Sequence, residues 1–146
     1  MVDVTAKEIS VRQAVAAGRI QTTAEVIALL RADGLPKGDA LSVARIAGIM
    51  GAKRTPDLVP LCHPIALHGV AVELELAETS VSIEATVRTA DRTGVEMEAL
   101  TSVVVSGLTV IDMIKAVDPA ASLETVRVLT KTGGKTGDWT RPAERS

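Results

Sequence analysis

Two short runs of the chain alternate strictly between apolar and polar residues. Val70, Val72, Leu74 and Leu76 share one face of the first, and Val81, Ile83, Ala85 and Val87 share one face of the second. The intervening Ala77-Glu78-Thr79-Ser80 predicts a hairpin. Glu73, Glu75, Glu84 and Arg88 occupy the alternate positions, so one side of the sheet is expected to meet water. The period then changes. Between Thr93 and Val117 the residues Glu98, Thr101, Val105, Leu108, Asp112 and Lys115 follow one another at steps of three and four, the stripe of a long helix. Its uncharged stretch, Ala99 to Ile111, falls short of the roughly 20 residues a membrane span needs. The helix is therefore expected inside the protein.

The flanking elements follow from caps and breakers. Met1 to Thr23 predicts an N-terminal arm, to about residue 10, and one strand. Thr22 and Glu25 have the spacing of a capping box for a helix that Gly34 ends. Pro36-Lys37-Gly38 is a turn, and Asp39 is positioned to cap a second helix with Val43, Ile46, Ala47 and Met50 as its apolar face, bounded by Gly51 and Pro56. Glu124 to Thr130 predicts a last strand, followed by a glycine-rich, basic loop and tail over 131–146. Strand, helix pair, hairpin, helix and strand in one domain of 146 residues predict an α+β, ferredoxin-like fold, with an antiparallel sheet and helices packed on one face.

Composition narrows the function. A net charge of −2 offers no broad basic surface for nucleic acid, and Trp139 is the only aromatic residue, so bases have no stacking platform. A core of Ala, Val, Leu and Ile, beside a helix apolar nearly all round, predicts completion by a partner copy. The single cysteine excludes an internal disulfide, and the N-terminus shows no apolar signal segment, which points to the cytoplasm.

Candidate chemistry sits where charge is locally out of place. Asp112 lies near the C-terminal end of the long helix, where the dipole disfavours an acid and Lys115 must compensate, whereas Glu96 and Glu98 suit the first turn. Lys37 stands just before a helix N-terminus, the wrong end for a cation. Pro60-Leu61-Cys62-His63-Pro64 is a rigid loop in which His63 can exchange a proton near neutrality, while Cys62 reads as a small apolar filler. Gly134-Lys135-Thr136 is not a P-loop: Leu129 stands where the first glycine belongs, and no helix can follow. Lys131 and Lys135 on that loop still suit phosphate. Two histidines and one cysteine make a zinc site improbable. The residues alone leave open an acid–base enzyme acting on an anion, a non-catalytic anion- or nucleotide-binding oligomer, and a magnesium-dependent phosphohydrolase using Glu96, Glu98 and Asp112.

The runs MVDVTAK, KGDALSVARIAGIMGAKRTPDLVPLCHP, TGVEMEALT, DMIKAVD and TKTGGKTGDW closely resemble the cyclic pyranopterin monophosphate synthases, the molybdenum cofactor biosynthesis protein C family, from Met1 to about Trp139. The resemblance implies a ferredoxin-like subunit in a homohexamer, a trimer of dimers with active sites at subunit interfaces. It also implies conversion of 3′,8-cyclo-7,8-dihydroguanosine triphosphate to cyclic pyranopterin monophosphate and pyrophosphate. Asp112 and Lys115 then stand as catalytic residues, with Lys37 as a second catalytic lysine. Leu61, Cys62, His63, Met97 and Glu98 match substrate-contacting positions, with Glu96, Lys131, Lys135, Lys7 and Arg12 beside them as substrate-binding. No cofactor is required on this reading; magnesium enters only with the substrate phosphates.

Overall fold

A computed structural model describes residues 1–144. Its elements are β1 (Ser10–Gln21), α1 (Ala24–Arg31), α2 (Ala40–Lys53), α3 (Thr55–Leu58), β2 (Gly69–Leu76), β3 (Ser80–Asp91), α4 (Glu96–Ile114), β4 (Ser122–Thr132) and β5 (Trp139–Thr140). The sheet runs β2-β3-β1-β4-β5 with every pairing antiparallel, and the helices pack on it. This is the expected ferredoxin-like α+β arrangement. β1 pairs along its whole length with β3, from Ser10 opposite Asp91 to Gln21 opposite Ser80.

The alternation in the hairpin translates directly into burial. Val81, Ile83, Ala85 and Val87 are fully enclosed, and Val72 and Leu74 are buried, while Glu73, Glu75, Glu84 and Arg88 are exposed on the far face. α4 crosses the covered face, burying Ala99, Ser102, Val103, Ser106, Gly107 and Val110 against β1, β3, β4 and α2. By length and composition alone α4 could cross a membrane, with a mean hydropathy of 1.6, but half of that window is buried in protein.

Local signals fared unevenly. Asp39 caps α2 through Ser42 N–H, as expected. α1 is capped by Thr23 rather than Thr22: Thr23 accepts from Val26 N–H, and the Thr22 hydroxyl is drawn away to donate to the buried Asp118 at 2.7 Å. That helix closes in a Schellman turn. Gly34 N–H donates to Leu29 O, yet the left-handed residue is Asp33, with φ 52°.

α2 reverses the expected orientation. Ala40, Ala44, Gly48, Gly51 and Ala52 are buried, whereas Val43, Ile46 and Met50 face outward, Ile46 with 59% of its surface exposed. Gly51 does not end the helix; it lies within it, where a Cβ would come within 2.8 Å of Val105 on α4. Close approach of the two helix backbones demands small residues, and this outweighs the pull of the larger apolar ones toward the core.

The C-terminal segment forms a short further strand. Gly133, Gly134 and Gly137 adopt positive φ in a loop that returns β5 antiparallel to β4, pairing Thr140 with Thr130 and Trp139 with Lys131. Arg141 extends this by donating from its backbone N–H to Leu129 O at 2.7 Å and stacking over Trp139. The end of the expected tail, Arg145 and Ser146, lies outside the described residues.

Candidate active site

The C-terminal end of α4 gathers three charges. Asp112 takes Lys37 Nζ on Oδ2 at 2.9 Å and Lys115 Nζ on Oδ1 at 2.6 Å, and Lys37 also donates to the Asp112 carbonyl at 3.2 Å. Lys37 is carried there by the turn at Leu35–Gly38, which Gly38 N–H closes onto Leu35 O. Both lysines thus meet the negative end of the α4 dipole, so the misplaced cation before α2 is well placed against α4. The hydrogen bonds from Lys115 and Lys37 hold the Asp112 carboxyl down to about 2. All three side chains remain about half exposed, so water screens the pairing and leaves it a weak stability device. An ionised acid held between two ammonium groups at an open surface is suited to passing protons to and from a bound molecule.

The opposite end of α4 faces a cavity of about 480 Å³ lined by Lys7, Leu61, Cys62, His63, Thr93, Gly94, Glu96, Met97 and Glu98, with Met1, Val2 and Val4 of the N-terminal arm. The two prolines fix the loop, and Cys62 N–H closes a turn onto Val59 O. His63 donates from Nε2 to Val2 O at 2.7 Å. Glu98 is only 4% exposed, and burial raises its pKa, aided by the neighbouring Glu96. The first-turn position of Glu98 therefore does not mean a solvated, dipole-stabilised carboxylate. Burial, reinforced by the charge of Glu98, raises the Cys62 thiol as well, which fits a filler and disfavours a nucleophile.

A second cavity of about 440 Å³ adjoins, lined by Ala6, Lys7, Glu8, Ser10, Arg12, Gly134 and Lys135. Arg12 is 8% exposed and donates to the carbonyls of Asp91 and Arg92, and among the described residues no carboxylate pairs with it. The glycine loop lies against its guanidinium, where a side chain on Gly134 would collide with it. Lys131 reaches Glu96 of the first cavity at 3.7 Å and Thr136 Oγ1 at 3.4 Å, while Lys7 lines both cavities. A buried, unpaired guanidinium flanked by Lys7 and Lys135 is a place for an anion.

The predicted residues therefore fall into two groups. His63, Cys62, Leu61, Glu96, Met97, Glu98, Lys7, Arg12, Lys131 and Lys135 cluster around the adjoining cavities, while Lys37, Asp112 and Lys115 stand at the far end of α4. At about 1.5 Å of rise per residue, the 14 steps from Glu98 to Asp112 span roughly 21 Å. Glu96, Glu98 and Asp112 of one chain therefore cannot share a metal ion, and no group of three or more His, Cys, Asp or Glu side chains suited to one occurs among the described residues. The sequence reading missed Thr93, Gly94 and the backbone of Val2 and Val4, whose contributions come from position rather than from side-chain chemistry.

Residues 1–134 match the MoaC family. The chain belongs to that family. A cyclic pyranopterin monophosphate synthase of Streptomyces coelicolor is 62% identical over 141 residues, covering 97% of this chain and 83% of its own. One of Nocardioides sp. is 61% identical over 145 residues, covering 97% and 89%. A cyclic pyranopterin monophosphate synthase 2 of Mycobacterium tuberculosis is 60% identical over 141 residues, covering 97% and 84%. Membership extends over both halves of the candidate site, since Lys37, the Cys62–His63 loop and both ends of α4 all fall within the matched span.

Proposed function

We propose that this chain is a cyclic pyranopterin monophosphate synthase of molybdenum cofactor biosynthesis. It converts 3′,8-cyclo-7,8-dihydroguanosine triphosphate to cyclic pyranopterin monophosphate and pyrophosphate by acid–base catalysis. The observation that carries the reading, together with the family, is the Asp112 carboxylate held between Lys37 and Lys115. Rebuilding the purine-derived ring needs groups that give and take protons, which these three supply. Glu98, His63 and Met97 contact the ring, with Leu61 and Cys62 completing the wall. Release of pyrophosphate by attack of a ribose hydroxyl on the innermost phosphorus needs cations on the phosphates, which Lys7, Arg12, Lys131 and Lys135 supply, with Glu96 orienting Lys131.

Ring-contacting and proton-transferring groups must both reach one ring, yet within one chain they stand roughly 21 Å apart along α4. The working site therefore joins the Asp112 end of one subunit to the His63 end of another. The outward apolar residues Val43, Ile46 and Met50 of α2 and Leu108 of α4 supply surface for such contacts. A homohexamer, built as a trimer of dimers, meets this requirement in the cytoplasm, where the lone Cys62 stays reduced. No cofactor is needed for the acid–base steps, and magnesium acts only through substrate phosphates. Incubation with the cyclic dihydroguanosine triphosphate, followed by mass analysis, is expected to yield cyclic pyranopterin monophosphate and pyrophosphate. Unchanged substrate would overturn the assignment.

A further inference from the structure

The arm before β1 carries a motif that the reaction leaves unexplained. Its side chains are mostly exposed, yet it is folded on itself: Asp3 Oδ1 accepts the Thr5 backbone N–H at 2.8 Å and the Thr5 hydroxyl at 2.5 Å, and Lys7 N–H donates to Val4 O at 3.0 Å. Two consequences follow from these turns. The Val2 carbonyl is presented to His63 Nε2, and since a carbonyl can only accept, a neutral His63 carries its proton on Nε2 and keeps Nδ1 as an acceptor. Lys7 is delivered to the boundary of the two cavities and lines both.

We propose that Asp3 is a positioning residue, whose bonds to Thr5 fold the arm so that Val2 sets the tautomer of His63 and Lys7 stands between ring and phosphates. The inference rests on the synthase reading for the place of Lys7 relative to the substrate and for its kinetic consequence. Asp3 touches neither cavity, so its effect runs through the arm. The Thr5 hydroxyl and backbone N–H, with His63 nearby, hold its carboxyl below the usual range, so it is an ionised acceptor at neutral pH. A flexible arm would deliver Val2 and Lys7 only part of the time, and ordering it in advance removes that entropy from the binding step.

The test compares Asp3→Ala with Asp3→Asn, whose amide oxygen still accepts both bonds. ¹⁵N spectra of histidine-labelled protein read the tautomer directly, with His68→Gln used to separate the two rings. Asp3→Ala should move the His63 nitrogen shifts toward a mixture of tautomers and raise KM about tenfold, with kcat changed less than about threefold and Tm unchanged. Asp3→Asn should restore both. Unaltered His63 shifts in Asp3→Ala would overturn the proposal, as would a KM rise that Asp3→Asn fails to restore, or a fall in Tm that accounts for the loss. A wild-type protein that leaves the substrate unconverted would sink the synthase reading, while the ring spectra would still decide the role of Asp3.

Discussion

Asp112 is held by charge and not by packing, so replacing it should separate chemistry from stability. Asp112→Asn keeps the shape of the side chain but cannot carry the negative charge between Lys37 and Lys115, and turnover should fall about 10²–10⁴-fold with substrate binding nearly unchanged. Lys135→Ala, in the glycine loop, should instead raise KM and weaken pyrophosphate binding, since it contributes charge to the ground state. Equal kinetic signatures in the two variants would refute this division of labour. Glu98 makes a different prediction. Burial raises its folded-state pKa above the usual 4.5, so the fold tolerates the protonated form better than the unfolded chain does. Its contribution to stability is full below the unfolded value and is lost as pH rises through the folded one. Unfolding midpoints of the wild type should therefore decline across that window, and Glu98→Gln should flatten the decline; parallel curves would show that Glu98 does not carry it. Asp112 works in the opposite sense: its stabilisation is present above 3.8 and fades as pH falls toward about 2. Of these two acids, the odd position of Asp112 was readable because a helix dipole is a local property. The burial of Glu98 was not, because it depends on residues distant in sequence, Cys62 among them, meeting the start of α4.

At the scale of elements, local order was most legible where one face of the sheet is covered. Alternation fixed both strands of the hairpin because burial follows a period of two and any slip would expose Val81, Ile83 and Val87. α2 was misread because a pattern rule seeks large apolar residues inside, whereas this helix turns its alanines and glycines inward to bring its backbone close to α4. A direct check is Gly51→Val. Its gain in side-chain bulk meets Val105 at the Cβ, which no rotamer change can withdraw, so overpacking of about 1–3 kcal/mol should prevail over the roughly 1 kcal/mol of helix propensity that removing a glycine returns at most. Urea denaturation should show the loss, and a variant as stable as the wild type would mean the two helices can part at little cost. The C-terminal hairpin was hidden for another reason: its pairing spans only two rungs, Thr130 with Thr140 and Lys131 with Trp139, and glycines that permit a turn read the same as glycines that permit disorder.

At the scale of the whole molecule, the candidate residues divide between the two ends of α4. α4 is a rigid rod buried along one face, so the distance between its ends is fixed by the helix rise and cannot be closed by loop motion. Lys37 joins Asp112 and Lys115 at one end through the turn before α2, and the Cys62–His63 loop joins Glu98 at the other. If each working site takes one group from each of two subunits, two inactive variants must rescue one another. Lys115→Ala destroys the proton-transfer end and leaves the cavity intact; His63→Ala does the reverse. Dissociated and reassembled together in equal amounts, they should regain about a quarter of wild-type activity, because a randomly filled two-chain site draws both intact halves with that frequency. Neither variant alone should recover, and rescue should vanish when the doubly substituted chain replaces either partner. A mixture that stays inactive while light scattering shows mixed oligomers would mean that each chain acts alone, and the separation along α4 would then have to be bridged in some other way.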